Sequence, residues 1–359
     1  MTAAQRIPLT DQPHSEGPAA QEGAPALFDR VPRWLLDPAL TAYRSSRTTR
    51  GRRVLNVAVT LVALGITVLA ARHFASIGWP LQGVDPWLAA AAGLLIVASY
   101  PLKALGWQRV FRPSERPRAM SLAAANGAAS VTGAALPGRF DDVVRIAVVR
   151  RSPSCPTCVP SLALSLFMVG LLDAAALMPI STAAAATTDA SAAVRAGLAI
   201  VAAAGLGAGL IVLFLPRFLA SGRLIRFRIA QWIGQRLTSH RDAWKAGLFV
   251  FASWAMRATA LFLLLVAMDI SVSYPLAIGF LCAGAAASAL PIAPAAGAAA
   301  TVGGGAALLI ASGVGTSTAV EFAIGAQTLL IFGGVVVLLF AAVLHGGQRV
   351  LARRHALIV

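Results

Sequence analysis

Charge is scarce in this chain. Of its 359 residues only 12% are Asp, Glu, Lys or Arg, while 58% are hydrophobic and mean hydropathy is +0.75, which excludes a soluble globular domain. Acid is scarcest: 14 Asp and Glu stand against 30 Lys and Arg, a formal net charge of +16. The 3 cysteines are too few for a disulfide framework. The spacing of Cys155 and Cys158 lacks the second Cys or His pair that zinc needs, so they read as reduced thiols in a Pro-rich loop. The 5 histidines lie scattered over termini and loops and assemble no metal cluster. Gly303, Gly304 and Gly305 are followed by no P-loop Lys-Ser/Thr, and read as a close helix contact or hinge. No Gly-x-Ser-x-Gly segment occurs, and no paired carboxylates accompany a His. The chain is therefore not expected to be an enzyme or to need a cofactor or metal. Without a basic patch interleaved with aromatics, nucleic acid is not an expected partner either.

What is present is a series of long apolar runs punctuated by arginine. Together they predict an all-α polytopic membrane protein of about six to eight transmembrane helices. Residues 1–28 lack apolar periodicity and are expected to be a disordered cytoplasmic tail, not a signal peptide. Residues 29–53 form a basic juxtamembrane segment, with a short surface helix before the run Arg44, Arg47, Arg50, Arg52 and Arg53. Spans are expected at 54–75, 87–108, 160–180, 192–216, 246–268 and 319–345. The intervening clusters (Arg109, Arg112, Arg116 and Arg118; Arg150 and Arg151; and the Arg-rich stretch 217–245) place the cytoplasmic sides, as does the basic tail 346–359. Both termini are thus expected in the cytoplasm, with the chain multi-pass in the inner, cytoplasmic membrane. The stretch 217–245 is the largest basic patch and reads as an interfacial helix on anionic headgroups.

Two segments do not fit simple crossings. Residues 121–136 form an almost charge-free helix that ends at Pro137 and Gly138, a pair that cannot continue it, and arginine flanks the whole unit on both sides. A single crossing would put one arginine cluster outside, so a re-entrant hairpin turning at Pro137-Gly138 is expected. Non-helical backbone at that depth requires a covering of protein or a water-filled cavity. Beyond the turn, Asp141 and Asp142 lie four and three residues before Arg145, on one helical face. They either only offset the helix dipole or, with Arg139, help build a half-helix N-terminus that receives a lipid phosphate. A second break, with Pro291 and Pro294, joins the short apolar runs 274–290 and 297–312, as two short crossings or one hairpin. Inside or beside the spans stand Asp173, Arg257 and Glu321, each costly in lipid. Asp173 either pairs with an Arg inside the bundle or meets a substrate, whereas Glu321 reads as a dipole-compensating residue near a helix start.

At these breaks the chain resembles the lysylphosphatidylglycerol synthase transmembrane region, a flippase-like integral membrane family. Pro137, Gly138, Arg139, Asp142 and Arg145 match a Pro-Gly-Arg-x-Gly-Glu-x-x-Arg-like segment, with Asp142 in place of Glu and Asp141 in place of Gly. Asp173 matches the end of a Glu-Arg-x-x-Asp segment in which Val169 and Gly170 stand for Glu and Arg. Pro291, Ile292 and Pro294 match a Pro-Ile-Ser-Pro-Gly-Gly-x-Gly-x-x-Glu-like segment, where Ala295 and Ala296 replace both Gly and Thr301 replaces Glu. The resemblance spans about residues 54–345 and implies a lipid-translocating unit; with fourteen residues after His345, aminoacyl transfer is not expected of this chain. It implies binding and translocation of an anionic phospholipid or lipid-linked precursor through Pro137, Gly138, Arg139, Asp142, Arg145, Asp173, Pro291 and Pro294, to which the ionisable Arg257 inside its span adds a further candidate. The alternative is a non-transporting membrane scaffold whose partner, through the basic stretch, is a lipid-modifying or glycosyltransferase enzyme.

Overall fold

The computed structural model describes residues 83–135, 140–151, 159–187, 191–220, 239–289 and 297–356. Outside them lie the expected N-terminal tail, surface helix and span 54–75, and the expected turn at Pro137, Gly138 and Arg139. The Cys155/Cys158 loop, most of the basic stretch and the break with Pro291 and Pro294 lie outside them too. Among the described residues the chain is wholly helical: α1 (Pro86–Val110), a single 3-10 turn (Pro113–Glu115), α2 (Ala119–Ala135), α3 (Phe140–Arg151), α4 (Val159–Thr187), α5 (Ala192–Ala220), α6 (His240–Ala267), α7 (Tyr274–Ala289), α8 (Gly297–Ala311) and α9 (Thr316–Ala356).

Five of these, α1, α4, α5, α6 and α9, are long and apolar enough to cross a bilayer and coincide with five of the expected spans. Their ends run further than the Arg and Pro signals suggest. α4 continues through Pro179 into the Ala-rich residues up to Thr187, and α9 runs on through the basic tail to Ala356. α6 begins earlier, at His240, because the Ser239 hydroxyl caps it by accepting from the Asp242 amide. α1 starts at Pro86 for a similar reason: the Asp85 carboxylate accepts from the Trp87 and Leu88 amides, and Pro gives up no needed N–H at the first position.

The remaining four helices form two short pairs. α2 and α3, of 17 and 12 residues, pack on each other, as do α7 and α8, of 16 and 15. At about 1.5 Å per residue none reaches the roughly 30 Å of a hydrocarbon core. Close helix contacts are made by small residues rather than by large apolar ones. A Cβ added to Gly127 of α2 would stand 2.6 Å from the Gly334 carbonyl oxygen of α9, and one on Gly304 of α8 only 2.7 Å from the Ala287 Cβ of α7. Gly127→Ala is therefore expected to lower the melting temperature in detergent. Backbone overlap costs about 1–3 kcal/mol and outweighs the roughly 1 kcal/mol of helix propensity that Ala returns. An unchanged or raised melting temperature would contradict this contact.

Candidate functional site

The site is assembled on the pairing of α1 with α6. The Asp85 amide donates to the Ala267 carbonyl at 3.2 Å, so the start of α1 lies beside the end of α6 and the two run antiparallel. Gly106 lets them close up, since a Cβ there would meet Val250 at 2.8 Å. The Ser253 hydroxyl donates to the Ser99 carbonyl at 2.9 Å and fixes the register. In that register Ser99, Tyr100 and Lys103 of α1 face Trp254 and Arg257 of α6. At the other end of the same pair, Asp242 receives Arg116 at 3.0 Å and Arg109 at 3.5 Å. That contact brings the first arginine cluster and the start of α6 to one end of the molecule, as their charge predicts.

The Asp173 carboxylate of α4 is held at both oxygens: Lys103 Nζ lies 2.8 Å from Oδ2, and Trp254 Nε1 donates to Oδ1 at 2.8 Å. Lys103 also stands 5.6 Å from the centre of the Trp254 ring. Arg257 is placed differently. Its Nε donates to Ser99 Oγ at 3.1 Å, and its guanidinium lies 5.3 Å from the Tyr100 ring centre and 5.7 Å from that of Trp254. Tyr100 is itself fixed, its hydroxyl 2.8 Å from both Ser130 Oγ of α2 and the Leu330 carbonyl of α9. No carboxylate among the described residues lies within 4.0 Å of Arg257. Two aromatic faces hold this cation but do not neutralise it.

Lys103, Asp173, Trp254 and Arg257 line a cleft of about 560 Å³ between α1, α4, α5, α6, α7, α8 and α9. Its remaining wall is almost entirely apolar, with Thr301 of α8 the other polar side chain. Ile200 of α5 lines the cleft and is nevertheless 70% exposed, so the cleft opens onto the outer face of α5. That face also carries exposed Leu206, Leu210, Ile211 and Phe214, the surface of a lipid-facing helix.

Of the residues that the sequence singles out, Asp173 and Arg257 meet in this cleft, but they are not paired with each other. The partner of Asp173 is Lys103, which sequence reading passed over because it lies six residues before Arg109, where an apolar run was about to end. Asp142 and Arg145 belong to a separate cluster on α3: Arg145 reaches Asp142 at 2.8 Å and Asp141 at 3.2 Å, and none of the three lines the cleft. Both acids sit in the first turn of α3, as expected, and Arg145 is close enough to act electrostatically on Lys103. Glu321 is exposed and lies just past the first turn of α9, also away from the cleft. Arg145→Gln would remove the ion pairs to two neighbouring carboxylates, which are 30% and 38% exposed. It should lower thermal stability by about 1–2 kcal/mol, less than the roughly 3–5 kcal/mol of a fully buried pair. Asp142→Asn should cost less, because Asp141 remains; equal melting temperatures for wild type and Arg145→Gln would contradict the cluster.

Residues 53–337 match the family model described as Lysylphosphatidylglycerol synthase TM region, a stretch that includes every residue of the cleft. No curated protein and no solved structure matches the chain.

Proposed function

The chain belongs to the lysylphosphatidylglycerol synthase TM region family, and from that membership we propose that it binds an anionic phospholipid or lipid-linked precursor by its headgroup in the cleft and moves it across the cytoplasmic membrane. The observation that carries this reading is Arg257, a cation without a carboxylate partner among the described residues, facing an apolar cleft well inside a membrane-spanning helix. Insertion scales charge about 2.5–3.5 kcal/mol for such a residue at mid-helix, and a phosphate is the counter-charge best suited to its planar fork. The opening beside Ile200 lets acyl chains remain among the bilayer lipids while the headgroup enters.

In this reading the two short helix pairs, α2 with α3 and α7 with α8, are re-entrant hairpins that enter from opposite sides. The arginine-rich ends and both termini face the cytoplasm. Vesicles reconstituted with the purified chain and a panel of fluorescent lipids test it. Phosphatidylglycerol should exchange between leaflets at least about 10-fold faster than in protein-free vesicles, the factor worth one 1.4 kcal/mol step, and phosphatidylcholine should not. Equal acceleration of all lipids, or of none, would refute selective translocation.

A further inference from the structure

The sequence of α1 returns in α6. Ala-Gly-Leu-x-x-x-Ala-Ser-aromatic-x-x-cation-Ala runs over residues 92–104, with Tyr100 and Lys103, and again over 246–258, with Trp254 and Arg257. At the same spacing beyond them, Ala-Leu-Pro ends the apolar run before each break, at 135–137 and 289–291. The elements repeat in step: a span, a short helix pair and a span (α1, α2, α3, α4) are followed after α5 by another such set (α6, α7, α8, α9). So do their contacts. α2 packs on α1, α3 and α9, and α7 packs on α6, α8 and α4, so each short pair leans on the last span of the other half. Because α1 and α6 run antiparallel, the halves are inverted copies about a pseudo-two-fold axis near Ser99 and Ser253. Each aromatic also stands beside the cation of the other copy, Trp254 at 5.6 Å from Lys103 and Tyr100 at 5.3 Å from Arg257.

The copies differ where a short pair meets the opposite span. In one, the Tyr100 hydroxyl lies 2.8 Å from both Ser130 Oγ of α2 and the Leu330 carbonyl of α9, and Gly127 brings α2 backbone against Gly334. In the other, Trp254, Gly284 and Leu281 hold the places of Tyr100, Ser130 and Gly127, and Asp173 stands as far along α4 as Leu330 along α9. All four of these line the cleft. One contact is shut where its copy is open.

We infer that the shut contact between α2 and α9 is a second headgroup passage, the inverted copy of the cleft. An anionic lipid received at Arg257 through one passage leaves through the other as the two halves exchange conformations. This rests on the translocation reading above. Inverted copies of one unit have the same two arrangements open to them, so the separation seen between α7 and α4 is one that α2 and α9 can adopt. Arg257 serves both routes, since its guanidinium lies 5.3 Å from the Tyr100 ring centre on the shut side and 5.7 Å from that of Trp254 in the cleft.

The test locks the shut contact. A Cβ on Gly334 would stand 3.1 Å from that of Ser130, within reach of a disulfide, so Ser130→Cys and Gly334→Cys are combined in a full chain whose own cysteines are alanine. Vesicles of phosphatidylcholine with a trace of fluorescent phosphatidylglycerol report transfer by quenching of the outer leaflet. The oxidised chain should bind dihexanoyl phosphatidylglycerol with unchanged affinity, through the cleft that stays open, yet transfer lipid no faster than protein-free vesicles. Reductant should restore transfer. Transfer at the same rate in the oxidised and reduced chains overturns the inference, and thiols that fail to join overturn its premise. Absence of transfer in the reduced chain and in wild type removes the translocation reading, and the inference with it. Tyr100→Phe is the second variant, since it keeps the ring beside Arg257 and removes only the hydroxyl that ties α2 to α9. It should speed transfer by about 2–10-fold, the weight of one hydrogen bond made only in the shut state. Unchanged or slower transfer in Tyr100→Phe counts against a passage there.

Discussion

Arg257→Gln is expected to weaken binding of short-chain phosphatidylglycerol by a factor of roughly 10–150 while leaving thermal stability nearly unchanged. The affinity loss follows from removing a charge-assisted contact worth about 1.5–3 kcal/mol. The small stability change follows from the absence of a carboxylate partner among the described residues. Substitution strands no opposite charge, and the lost stacking on Tyr100 and Trp254, about 0.5–2 kcal/mol, is offset by no longer holding a cation in the cleft. Arg257→Lys should fall between, since it keeps the charge and loses the fork. Titration of the three proteins with the same lipid decides the matter. Unchanged affinity in Arg257→Gln, or a collapse of its melting temperature, would make Arg257 structural.

The neighbouring pair should behave in the opposite way. Asp173→Asn leaves the Lys103 ammonium, whose side chain is only 10% exposed, without a counter-charge; Lys103→Met leaves Asp173 with Trp254 alone. Each single change is expected to cost about 3–5 kcal/mol, the penalty of an unpaired buried charge, and to lower detergent-extracted yield. Lys103→Met combined with Asp173→Asn should recover most of that loss, because the two removed charges cancel. Melting curves for the two single variants and the double variant supply the coupling energy. A double variant as unstable as the sum of the singles would show that Lys103 and Asp173 stabilise the bundle separately.

Much of the architecture was legible because lipid imposes simple rules: apolar length marks spans and arginine marks their ends. The five described spans follow from those two signals, and the two short pairs from the proline breaks that interrupt the apolar runs. That Asp173 and Arg257 would line a cavity or find partners was legible for the same reason, since an ionisable group inside an apolar run needs one or the other. Three things were not legible. Lys103 stands close to Arg109, and sequence alone does not tell a snorkelling terminal lysine from one that turns into the bundle. Trp254 reads as one more apolar residue until α4 brings a carboxylate to its Nε1. The Asp141, Asp142 and Arg145 stretch draws the eye by its density of charge, yet Arg145 is paired with both acids on α3, away from the cleft.

Two of the departures from the resembling motifs fall on the cleft as well. Gly170, where that segment has Arg, lines the cleft and has nothing within 4 Å of where a Cβ would stand; Thr301, where another has Glu, lines it from the far side. One cation and one carboxylate position are thus both uncharged in this chain, and the balance of the cleft rests on Arg257. On the headgroup-binding reading proposed above, Arg257 alone supplies the electrostatic match despite these substitutions.

The central claim is that an anionic headgroup occupies this cleft, and photocrosslinking tests it most directly. The purified chain would be mixed with phosphatidylglycerol carrying a photoactivatable group in its headgroup, and the labelled peptides identified by mass spectrometry. The account predicts label concentrated around Lys103, Asp173 and Trp254, suppressed by excess unlabelled phosphatidylglycerol but not by phosphatidylcholine, and lost in Arg257→Gln. Label spread over the exposed apolar faces of α5 and α9, or equal competition by both lipids, would contradict it.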